Sequence, residues 1–554
     1  MRKIKGFAHL CTQMRKRDNS LLRKPIFHTM GSLLLVVGFV CSLLLPILTI
    51  NRVRGKVSVL EKRHLAEFPE LFDADGNLTD GIQQGFESWL TDNLGFRSSF
   101  VNIAANLQLK VFRQSINERV AIGKEGWYFY TRDHNIELAT GEFTLSEVVL
   151  EEIARKQQII SDYYESQGIT YLLVLTAAKT SIYPEFLVSD QNVIRSTPCD
   201  QLEAYLKSHT TVQVLNTKHR LFEYKPKGKL FWKTDTHWTQ LGAYAVYTAI
   251  CDELDRLGRL TDNAVDVSFS EQLLAGADMS ALLGATGILG KEFVPTAQWQ
   301  KNTVSVQEGE LWDRLQMFNQ NDPDGKVNEV VLYENPILSD GTLLIYGDSQ
   351  WHPARGLPPW LGECFQRVIS MRIRSPRPLL DQIAEPDVVV FGCSERMIDT
   401  ILTRPLEVPI IASLPNLPQK EMISAADYGD WVGNQGVWLD ACNGQLLKTQ
   451  GEVPLNDSDR MVTLTGWAAD FNSDEPFSDV YITVGSQCVR CEYGIERAGV
   501  VERFQRDSLR RTGFRAAFPA KWLAESDNTF VFHCVSADGK TMYEPIQYHV
   551  NISV

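Results

Sequence analysis

Short apolar segments alternate with longer amphipathic segments between about residues 144 and 400. Residues 169–175 (ITYLLVL), 343–346 and 388–391 are continuous apolar runs, a pattern typical of strands buried on both faces of a parallel sheet. Residues 212–215 form a weaker run of the same kind. Strands that alternate with helices predict an α/β fold, a mostly parallel sheet flanked by helices.

Helix boundaries are marked by polar residues and glycines. Thr144-Leu-Ser-Glu147 has the spacing of a capping box and predicts a helix start, and Gly168 predicts its end. The alanine-rich segment 239–257 predicts a second helix, which Gly258 ends.

The regions on either side of this α/β pattern differ from it. Residues 79–112 place apolar side chains at helical spacing, and residues 121–130 (AIGKEGWYFY) predict a hairpin or the entry to a strand. Residues 461–554 contain short alternating runs separated by turn residues, such as 462–470 (VTLTGWAAD) and 480–484 (VYITV). This C-terminal pattern predicts an all-β sandwich.

A continuous apolar segment of 21 residues without a charge covers residues 30–50. That length crosses the hydrocarbon core of a bilayer as a helix. The first 24 residues contain eight Lys and Arg and one acid, Asp18, which predicts a cytoplasmic N-terminus and an extracytoplasmic remainder, although Arg52, Arg54 and Lys56 follow the segment. A cleaved signal peptide is the alternative, but the run is long for one and no small-residue cleavage site follows it.

Composition limits the classes of function. A chain of 554 residues is too long for one ordinary core, and a net charge of −13 argues against nucleic-acid binding. The predicted regions are a cytoplasmic basic tail (1–25), a transmembrane helix (26–50), an α/β catalytic domain (51–425) and a β-sandwich that could bind carbohydrate (430–554).

Four of the ten cysteines lie near the C-terminus: Cys442, Cys488, Cys491 and Cys534. An oxidising compartment would permit disulfides between them. One C-x-x-C pair makes a zinc site a weaker alternative than disulfides or thiols.

The segment LLIYGDSQW (343–351) carries an apolar strand directly into Gly347-Asp348-Ser349. A serine at this position lies at the carboxyl end of a parallel strand, where open α/β sheets place their sites, and nearby backbone N–H groups can stabilise an oxyanion. The structural alternative is a helix cap made by the Asp and Ser side chains.

The segment KTDTHWTQLGA (233–243) places Asp235 two residues before His237, just ahead of a helix. In a loop, Asp235 can accept from one ring nitrogen while the other takes the proton of Ser349. His352 is a rival base, but three residues after the serine it would lie further along a following helix. The alternative for a lone Asp-x-His is a capping acid and a packed histidine.

Several segments together resemble the SGNH-hydrolase-like acetyltransferases of the AlgX/AlgJ alginate O-acetylation family. In chain order they are EKRHLAEFP (61–69), DNLGFR (92–97), IGKEGWYFY (122–130), LTAAKTSIYPEFL (175–187), TDTHW (234–238), GDS (347–349) and EPDVVVFGCSER (385–396). The resemblance covers roughly residues 55–415. The C-terminal region resembles β-modules appended to envelope-polysaccharide enzymes.

The resemblance implies an SGNH-type triad of Ser349, His237 and Asp235 that needs no metal or cofactor. Such enzymes transfer acetyl to a hydroxyl of an exopolysaccharide or cell-envelope glycan, and a membrane-bound O-acyltransferase partner typically supplies the acetyl group. The implied location is the periplasmic side of the cytoplasmic membrane. Two departures are Ala178, where proline is usual, and Gln350-Trp351-His352, where an aromatic residue usually follows the serine.

Further candidates for substrate contact are Tyr183, Lys179, Arg396, Trp238 and Trp351, for which packing and surface charge are equally good explanations. Two other functions stay open. The same site would act as a polysaccharide acetylesterase if water attacked the acyl-enzyme, and the fold could serve as a non-catalytic glycan-binding assembly subunit.

Overall fold

The structure is a computed structural model of the 554-residue chain. It describes residues 25–51, 57–58, 63–72, 76–97, 99–100, 108, 115, 117–188, 196–262, 265–276, 278–283, 291–316, 330–372, 380–403, 406, 408–420, 436–447, 452–454, 461–470, 475–523 and 528–553. The described α-helices are Pro25–Leu48, Ile82–Asn93, Glu137–Thr140, Glu147–Ser166, Lys179–Ile182, Pro198–His209, Lys218–Tyr224, Gln240–Arg256, Asp278–Leu282, Glu310–Gln316, Leu357–Leu361, Asp381–Ala384, Ile398–Ile401 and Ala498–Phe504.

Seven strands form the central sheet of the α/β region. They are β1 (Thr170–Thr176), β2 (Gln213–Asn216), β3 (Val304–Val306), β4 (Val330–Glu334), β5 (Thr342–Gly347), β6 (Arg367–Arg372) and β7 (Val388–Ser394). Their order is β2-β1-β7-β5-β6-β4-β3. The first five pair in parallel, whereas β4 runs antiparallel to both β6 and β3. The mostly parallel sheet predicted from the apolar runs is therefore present, and β4 is the one strand of the seven that runs in the opposite direction.

Local residues determine where the helix before strand β1 begins and ends. The helix Glu147–Ser166 begins after Ser146, whose hydroxyl accepts from the Val149 N–H at 3.4 Å. The prediction that Thr144 caps this helix was wrong, because the first unpaired N–H groups lie within reach of Ser146. Gly168 follows the helix with φ of 76°, a conformation that favours glycine, and so ends it as predicted.

Helices on the two faces bury the central sheet. Every residue from Leu172 to Thr176 of β1 and every residue of β5 and β7 is buried. One core cluster contains side chains from β1, β5 and β7 together with Ile160 and Tyr164 of the preceding helix. This burial explains why the sequences of these strands are continuous apolar runs.

The C-terminal region is rich in β-structure, as predicted. Its strands are Gln419–Lys420, Val437–Cys442, Gln445–Leu446, Glu452–Pro454, Met461–Ala468, Asp479–Val484, Gln487–Arg490, Glu492–Ile495, Gly513–Pro519, Asn528–Val535, Met542–Tyr543 and Ile546–Ser553. They form two sheets that contribute to one core cluster, in which Leu464 and Phe514 of one sheet join Ile482 and Phe532 of the other.

The chain divides into two compact units, residues 1–122 with 275–291, and residues 123–274 with 292–554. In the first unit, Asn93 at the end of the helix Ile82–Asn93 donates to the carbonyl of Ala66 at 2.8 Å, and Asp92 accepts from the Ala66 N–H at 2.9 Å.

The other described strands are Val57–Ser58, Arg63–His64, Val120–Ile122, Tyr128–Tyr130, Ser268–Ala275 and Lys291–Gln298.

The helix Pro25–Leu48 covers most of the predicted membrane segment. The large apolar side chains described along it are exposed, among them Leu35 and Leu48. A search of the described residues for a helix long and apolar enough to span a bilayer found none.

Candidate active site

The sharp turn after strand β5 presents Ser349 at the carboxyl end of the sheet. Asp348 follows the strand directly, and a short 3-10 helix, Ser349–Trp351, begins with the serine. The Asp348 carboxylate accepts from the Gln350 N–H at 2.9 Å, so the capping role weighed from the sequence is real for this residue. Ser349 itself is partly exposed, which makes its hydroxyl accessible.

A second contact of Asp348 joins this turn to the neighbouring strand β7. Its other carboxylate oxygen accepts from the Ser394 N–H at 2.8 Å and also from the Ser394 hydroxyl. Both oxygens of one buried carboxylate therefore position the turn that carries Ser349, one within the turn and one at the end of β7.

Glycine is required beneath this turn because the ring of Trp351 lies directly on the sheet. A Cβ atom at Gly347 would lie 2.3 Å from Cβ of Trp351. At Gly392 on β7, a Cβ atom would lie 1.9 Å from Cε2 of the same ring. Any larger side chain at either position would displace Trp351, two residues from Ser349.

Asp235 and His237 contact each other in the loop before the helix Gln240–Arg256. Oδ1 of Asp235 lies 2.6 Å from Nδ1 of His237 and accepts from the backbone N–H of His237 at 2.9 Å. Burial alone would raise the pKa of Asp235, but the hydrogen bond and charge of His237, followed by the charge of Arg355, hold this pKa well below its usual value.

The structure brings the three predicted triad residues together. Nε2 of His237 lies 3.3 Å from Oγ of Ser349, across 112 positions of sequence. Asp235 is 1% exposed, whereas Ser349 is partly exposed. This arrangement fits Ser349 as a nucleophile, His237 as its base and Asp235 as the residue that orients the base.

Lys179, a candidate for substrate contact, is buried and contacts the Asp235 loop. Its ammonium group donates to the backbone carbonyls of Tyr128 at 2.6 Å, Lys233 at 2.9 Å and Asp235 at 3.2 Å. It also lies 5.1 Å from the centre of the Trp127 ring, within cation–π range. Through these contacts the Lys179 side chain supports the loop from the interior of the protein.

Tyr183 and the two tryptophans are also buried. The Tyr183 hydroxyl accepts from the Leu230 N–H at 3.0 Å. Trp238 packs edge-on against Trp351 with ring centres 6.4 Å apart. The backbone N–H of Trp238 donates to Oε1 of Gln350 at 3.3 Å, which links the histidine loop to the serine turn.

Arg396 lies just after the end of strand β7. Its guanidinium pairs with Asp133 at 3.0 Å and lies 5.5 Å from the centre of the Tyr130 ring. Substrate contact by Arg396, and by Lys179, Tyr183, Trp238 and Trp351, stays a prediction.

Two residues near the site were missed from the sequence. Nη2 of Arg355 lies 3.2 Å from Nδ1 of His237, which places a cation beside the Asp235–His237 pair. Glu292 accepts from the N–H groups of Lys233 and Thr234, both at 3.0 Å, and so fixes the start of the histidine loop. Neither residue lies in a local motif that could have identified it.

The rival base His352 lies after the 3-10 helix of Ser349. Its Nδ1 accepts from the Ala354 N–H at 3.2 Å, so this nitrogen caps the next short helix, Pro353–Arg355. Ser349 thus lies beside His237, whereas His352 caps the short helix that follows it.

The C-terminal cysteines carry no disulfide in the structure, and neither does any other described cysteine. Cys442, Cys491 and Cys534 belong to the core cluster of the β-rich region. Burial raises the pKa of Cys491 and Cys534, which favours their thiol form.

A strand-end serine and an Asp-His loop lie together on a mostly parallel, helix-flanked sheet. Residues 120–324 match the family model described as "SGNH hydrolase-like domain, acetyltransferase AlgX". The resemblance drawn from the motifs is therefore confirmed for this part of the chain, which contains Asp235 and His237 and ends before Ser349.

Curated relatives include probable alginate O-acetylases AlgJ. The protein from Pseudomonas syringae pv. tomato is 28% identical over 159 residues, which cover 28% of this chain and 38% of that protein. The protein from Azotobacter vinelandii is 22% identical over 237 residues, 42% of this chain and 58% of that protein. The chain thus spans well under two thirds of the length of these relatives.

Solved structures similar to the chain include two from Pseudomonas. The O-acetyltransferase domain of Pseudomonas putida AlgJ is 17% identical with a TM-score of 0.36, covering 51% of this chain and 92% of that one. Pseudomonas aeruginosa AlgX is 13% identical with a TM-score of 0.33, covering 76% of this chain and 91% of that one.

Proposed function

We propose that the chain is an O-acetyltransferase that adds acetyl groups to hydroxyls of an exopolysaccharide or cell-envelope glycan through an acyl-Ser349 intermediate. The observation that carries this proposal is the distance of 3.3 Å between Oγ of Ser349 and Nε2 of His237, with Asp235 on the other ring nitrogen at 2.6 Å. Its similarity to the AlgX acetyltransferase domain and to probable alginate O-acetylases AlgJ supports acetyl transfer as the reaction and a polysaccharide as the acceptor.

The reaction has two steps. His237 removes the hydroxyl proton as Ser349 attacks the acetyl carbonyl of the donor, and the same proton then goes to the leaving group. His237 next removes a proton from a sugar hydroxyl, whose oxygen attacks the acyl carbon. The bond from that carbon to Oγ of Ser349 then breaks, and the proton on His237 goes to Oγ. The backbone N–H of Ser349 and a second donor stabilise the oxyanion of each tetrahedral intermediate.

The cellular arrangement forms part of the proposal. The helix Pro25–Leu48 is the membrane anchor, supported by the uncharged residues 30–50 and the basic tail before them. Residues 51–425 then work on the periplasmic side, where a membrane-bound O-acyltransferase supplies acetyl groups. The β-rich region, residues 430–554, binds the glycan chain.

The test uses the full chain in detergent with a small activated acetyl ester, with and without candidate glycans. Wild type is expected to form an acetylated peptide containing Ser349 and to transfer the acetyl group to the glycan. Ser349→Ala should lose at least about a thousandfold of this activity. Ser208→Ala is the matched control, because Ser208 lies exposed on the helix Pro198–His209.

Two results would contradict the proposal. Hydrolysis of the ester at a rate unaffected by any glycan, with no glycan product, would identify an acetylesterase instead. Absence of acyl-Ser349, together with full biological function of Ser349→Ala in cells, would identify a non-catalytic subunit.

A further inference from the structure

One buried side chain joins the serine turn to the histidine loop. Gln350 follows Ser349 directly and is 3% exposed. Its Oε1 accepts from the backbone N–H of Trp238, the residue after His237, at 3.3 Å. Each partner in this hydrogen bond is therefore the immediate neighbour of a triad residue, although the two lie 112 positions apart in the sequence.

The N–H of Trp238 faces the serine turn because the histidine loop is folded back on itself. The N–H of Trp232 donates to the carbonyl of His237 at 3.2 Å, and the N–H of Thr239 donates to the carbonyl of Leu230 at 2.8 Å. In an antiparallel bridge of this kind, successive backbone N–H groups point in opposite directions. The N–H of Trp238 thus points out of the loop, and Gln350 supplies its acceptor.

The backbone from which the Gln350 side chain extends is also fixed. Its N–H donates to Oδ1 of Asp348 at 2.9 Å, and the other carboxylate oxygen of Asp348 accepts from the Ser394 N–H at 2.8 Å on strand β7. A buried side chain on a backbone held in this way can keep its partner at a defined distance.

We propose that Gln350 is a positioning residue, whose side-chain carbonyl holds the backbone at Trp238 and so keeps Nε2 of His237 within reach of Oγ of Ser349. Those two atoms are 3.3 Å apart. A base must lie within hydrogen-bond reach of the proton that it removes, and a displacement of about 1 Å slows a reaction by on the order of a hundredfold. The proposal rests on the acyl-transfer function proposed above, because it concerns proton transfer from Ser349 to His237.

Three substitutions of Gln350 separate its oxygen atom from its bulk. Gln350→Met keeps the length of the side chain but removes the oxygen. Gln350→Asn keeps the amide but is one methylene group shorter, so its oxygen is withdrawn from Trp238. Gln350→Glu keeps an oxygen at the original distance from the backbone. We expect the first two variants to loosen the histidine loop and the third to retain the contact.

The experiment measures how fast Ser349 reacts with phenylmethylsulfonyl fluoride in the full chain in detergent. The serine oxygen attacks the sulfur atom, fluoride leaves and His237 takes the hydroxyl proton, so this reaction uses the nucleophile and the base without a glycan or an acetyl donor. Mass spectrometry of the peptide that contains Ser349, at several reagent concentrations, gives the maximal rate and the half-saturating concentration separately. Circular dichroism checks that each variant is folded at the temperature used.

Gln350→Met should lower the maximal rate by roughly tenfold to a hundredfold and leave the half-saturating concentration unchanged, because a displaced base slows chemistry rather than binding. Gln350→Asn should show the same loss, and it decides the question if Gln350→Met does not fold. Gln350→Glu should react at least about threefold faster than Gln350→Met, since a carboxylate oxygen accepts from the same N–H.

Gln201→Met is the matched control. Oε1 of Gln201 accepts from the backbone N–H of Leu145 at 3.1 Å, but Gln201 lies on the helix Pro198–His209, outside the serine turn and the histidine loop. This variant should lower the melting temperature and keep the maximal rate of the wild type. An equal loss of rate in Gln201→Met and Gln350→Met would show a general loosening of the fold and overturn the proposal.

Two further outcomes separate this proposal from the proposed function. If Ser349 is labelled at the wild-type rate in Gln350→Met or Gln350→Asn, or if Gln350→Glu is no faster than Gln350→Met, the role of Gln350 is wrong while the proposed function stands. If Ser349 of the wild type is not labelled at all, the proposed function is wrong, and the role of Gln350 is lost with it.

Discussion

The ammonium group of Lys179 donates a hydrogen bond of 3.2 Å to the backbone carbonyl of Asp235, the residue that orients His237. Because Lys179 also binds the carbonyls of Tyr128 and Lys233, one buried cation joins the histidine loop to the strand Tyr128–Tyr130. We therefore expect Lys179 to affect the proposed reaction through the position of Asp235.

Replacing Lys179 by methionine should displace this loop. The variant keeps the length of the side chain but leaves carbonyl groups without their donor, which costs about 1–3 kcal/mol for each buried group left unpaired. We expect kcat for acetyl-ester turnover to fall between about tenfold and about a hundredfold while KM changes little, because misplacing a base slows chemistry more than binding. Steady-state kinetics and urea unfolding measure the two effects.

A lysine elsewhere provides the control for that variant. Lys156 donates to Glu152 and to the carbonyl of Thr403, and it lies on the helix Glu147–Ser166. Lys156→Met should leave kcat unchanged. A Lys179→Met protein that is stable and has the kcat of the wild type would show that the loop does not need this cation.

Asp348 should not tolerate replacement by asparagine, although the two side chains have the same shape. Both of its carboxylate oxygens accept hydrogen bonds, one from Gln350 and the other from Ser394. The amide of asparagine would direct N–H toward one of these N–H groups, at a cost of about 1–3 kcal/mol. We expect the free energy of unfolding in urea to decrease by this amount, and acyl-Ser349 formation to slow.

Asp538 offers a matched comparison. It also accepts two hydrogen bonds in a turn, from the Lys540 N–H and the Ser536 hydroxyl, but its side chain is exposed. Water can replace a lost acceptor there, so Asp538→Asn should change stability by less than about 0.5 kcal/mol. Equal losses in Asp348→Asn and Asp538→Asn would contradict the role given to Asp348.

The parts of the site that could be predicted from the sequence are those encoded locally. Gly347-Asp348-Ser349 follows an apolar strand directly, and Asp235 lies two residues before His237, so short segments specify both halves. The parallel strands β1, β5 and β7 were predicted for the same reason, since burial on both faces leaves a continuous apolar run.

Contacts between distant segments could not be predicted in this way. Lys179 and Asp235 are 56 positions apart, and Arg355 and His237 are 118 apart, and no spacing rule relates them. Strands β3, β4 and β6 were missed. β3 has only three residues, and charged residues end both β4 and β6, which shortens their apolar runs. The cap of the helix Glu147–Ser166 was misplaced because Thr144 and Ser146 offer the same hydroxyl chemistry two positions apart.

Gly392→Ala should disturb the serine turn by overpacking. The added methyl group would lie 1.9 Å from the Trp351 ring, so the ring or strand β7 must shift. We expect a loss of about 1–3 kcal/mol in the free energy of unfolding, with a change in tryptophan fluorescence and slower acyl-enzyme formation. The control is Gly499→Ala in the helix Ala498–Phe504, where open space surrounds the new atom and stability should stay the same or rise. A Gly392→Ala protein as stable as wild type would show that the turn accommodates the methyl group.

The low pKa of Asp235 predicts how the free energy of unfolding changes at acidic pH. In the unfolded chain this carboxyl titrates near its usual pKa of about 4, whereas in the folded chain its pKa is well below that value. As pH falls below about 4, the unfolded chain therefore binds a proton that the folded chain does not, and the stability contributed by Asp235 is lost progressively. Asp235→Asn removes this term, so the difference in free energy of unfolding between wild type and variant should be greatest near neutral pH and should shrink toward pH 3. Urea unfolding from pH 7 to pH 3 measures it, and a difference independent of pH would show that the carboxylate is not stabilised in its charged form.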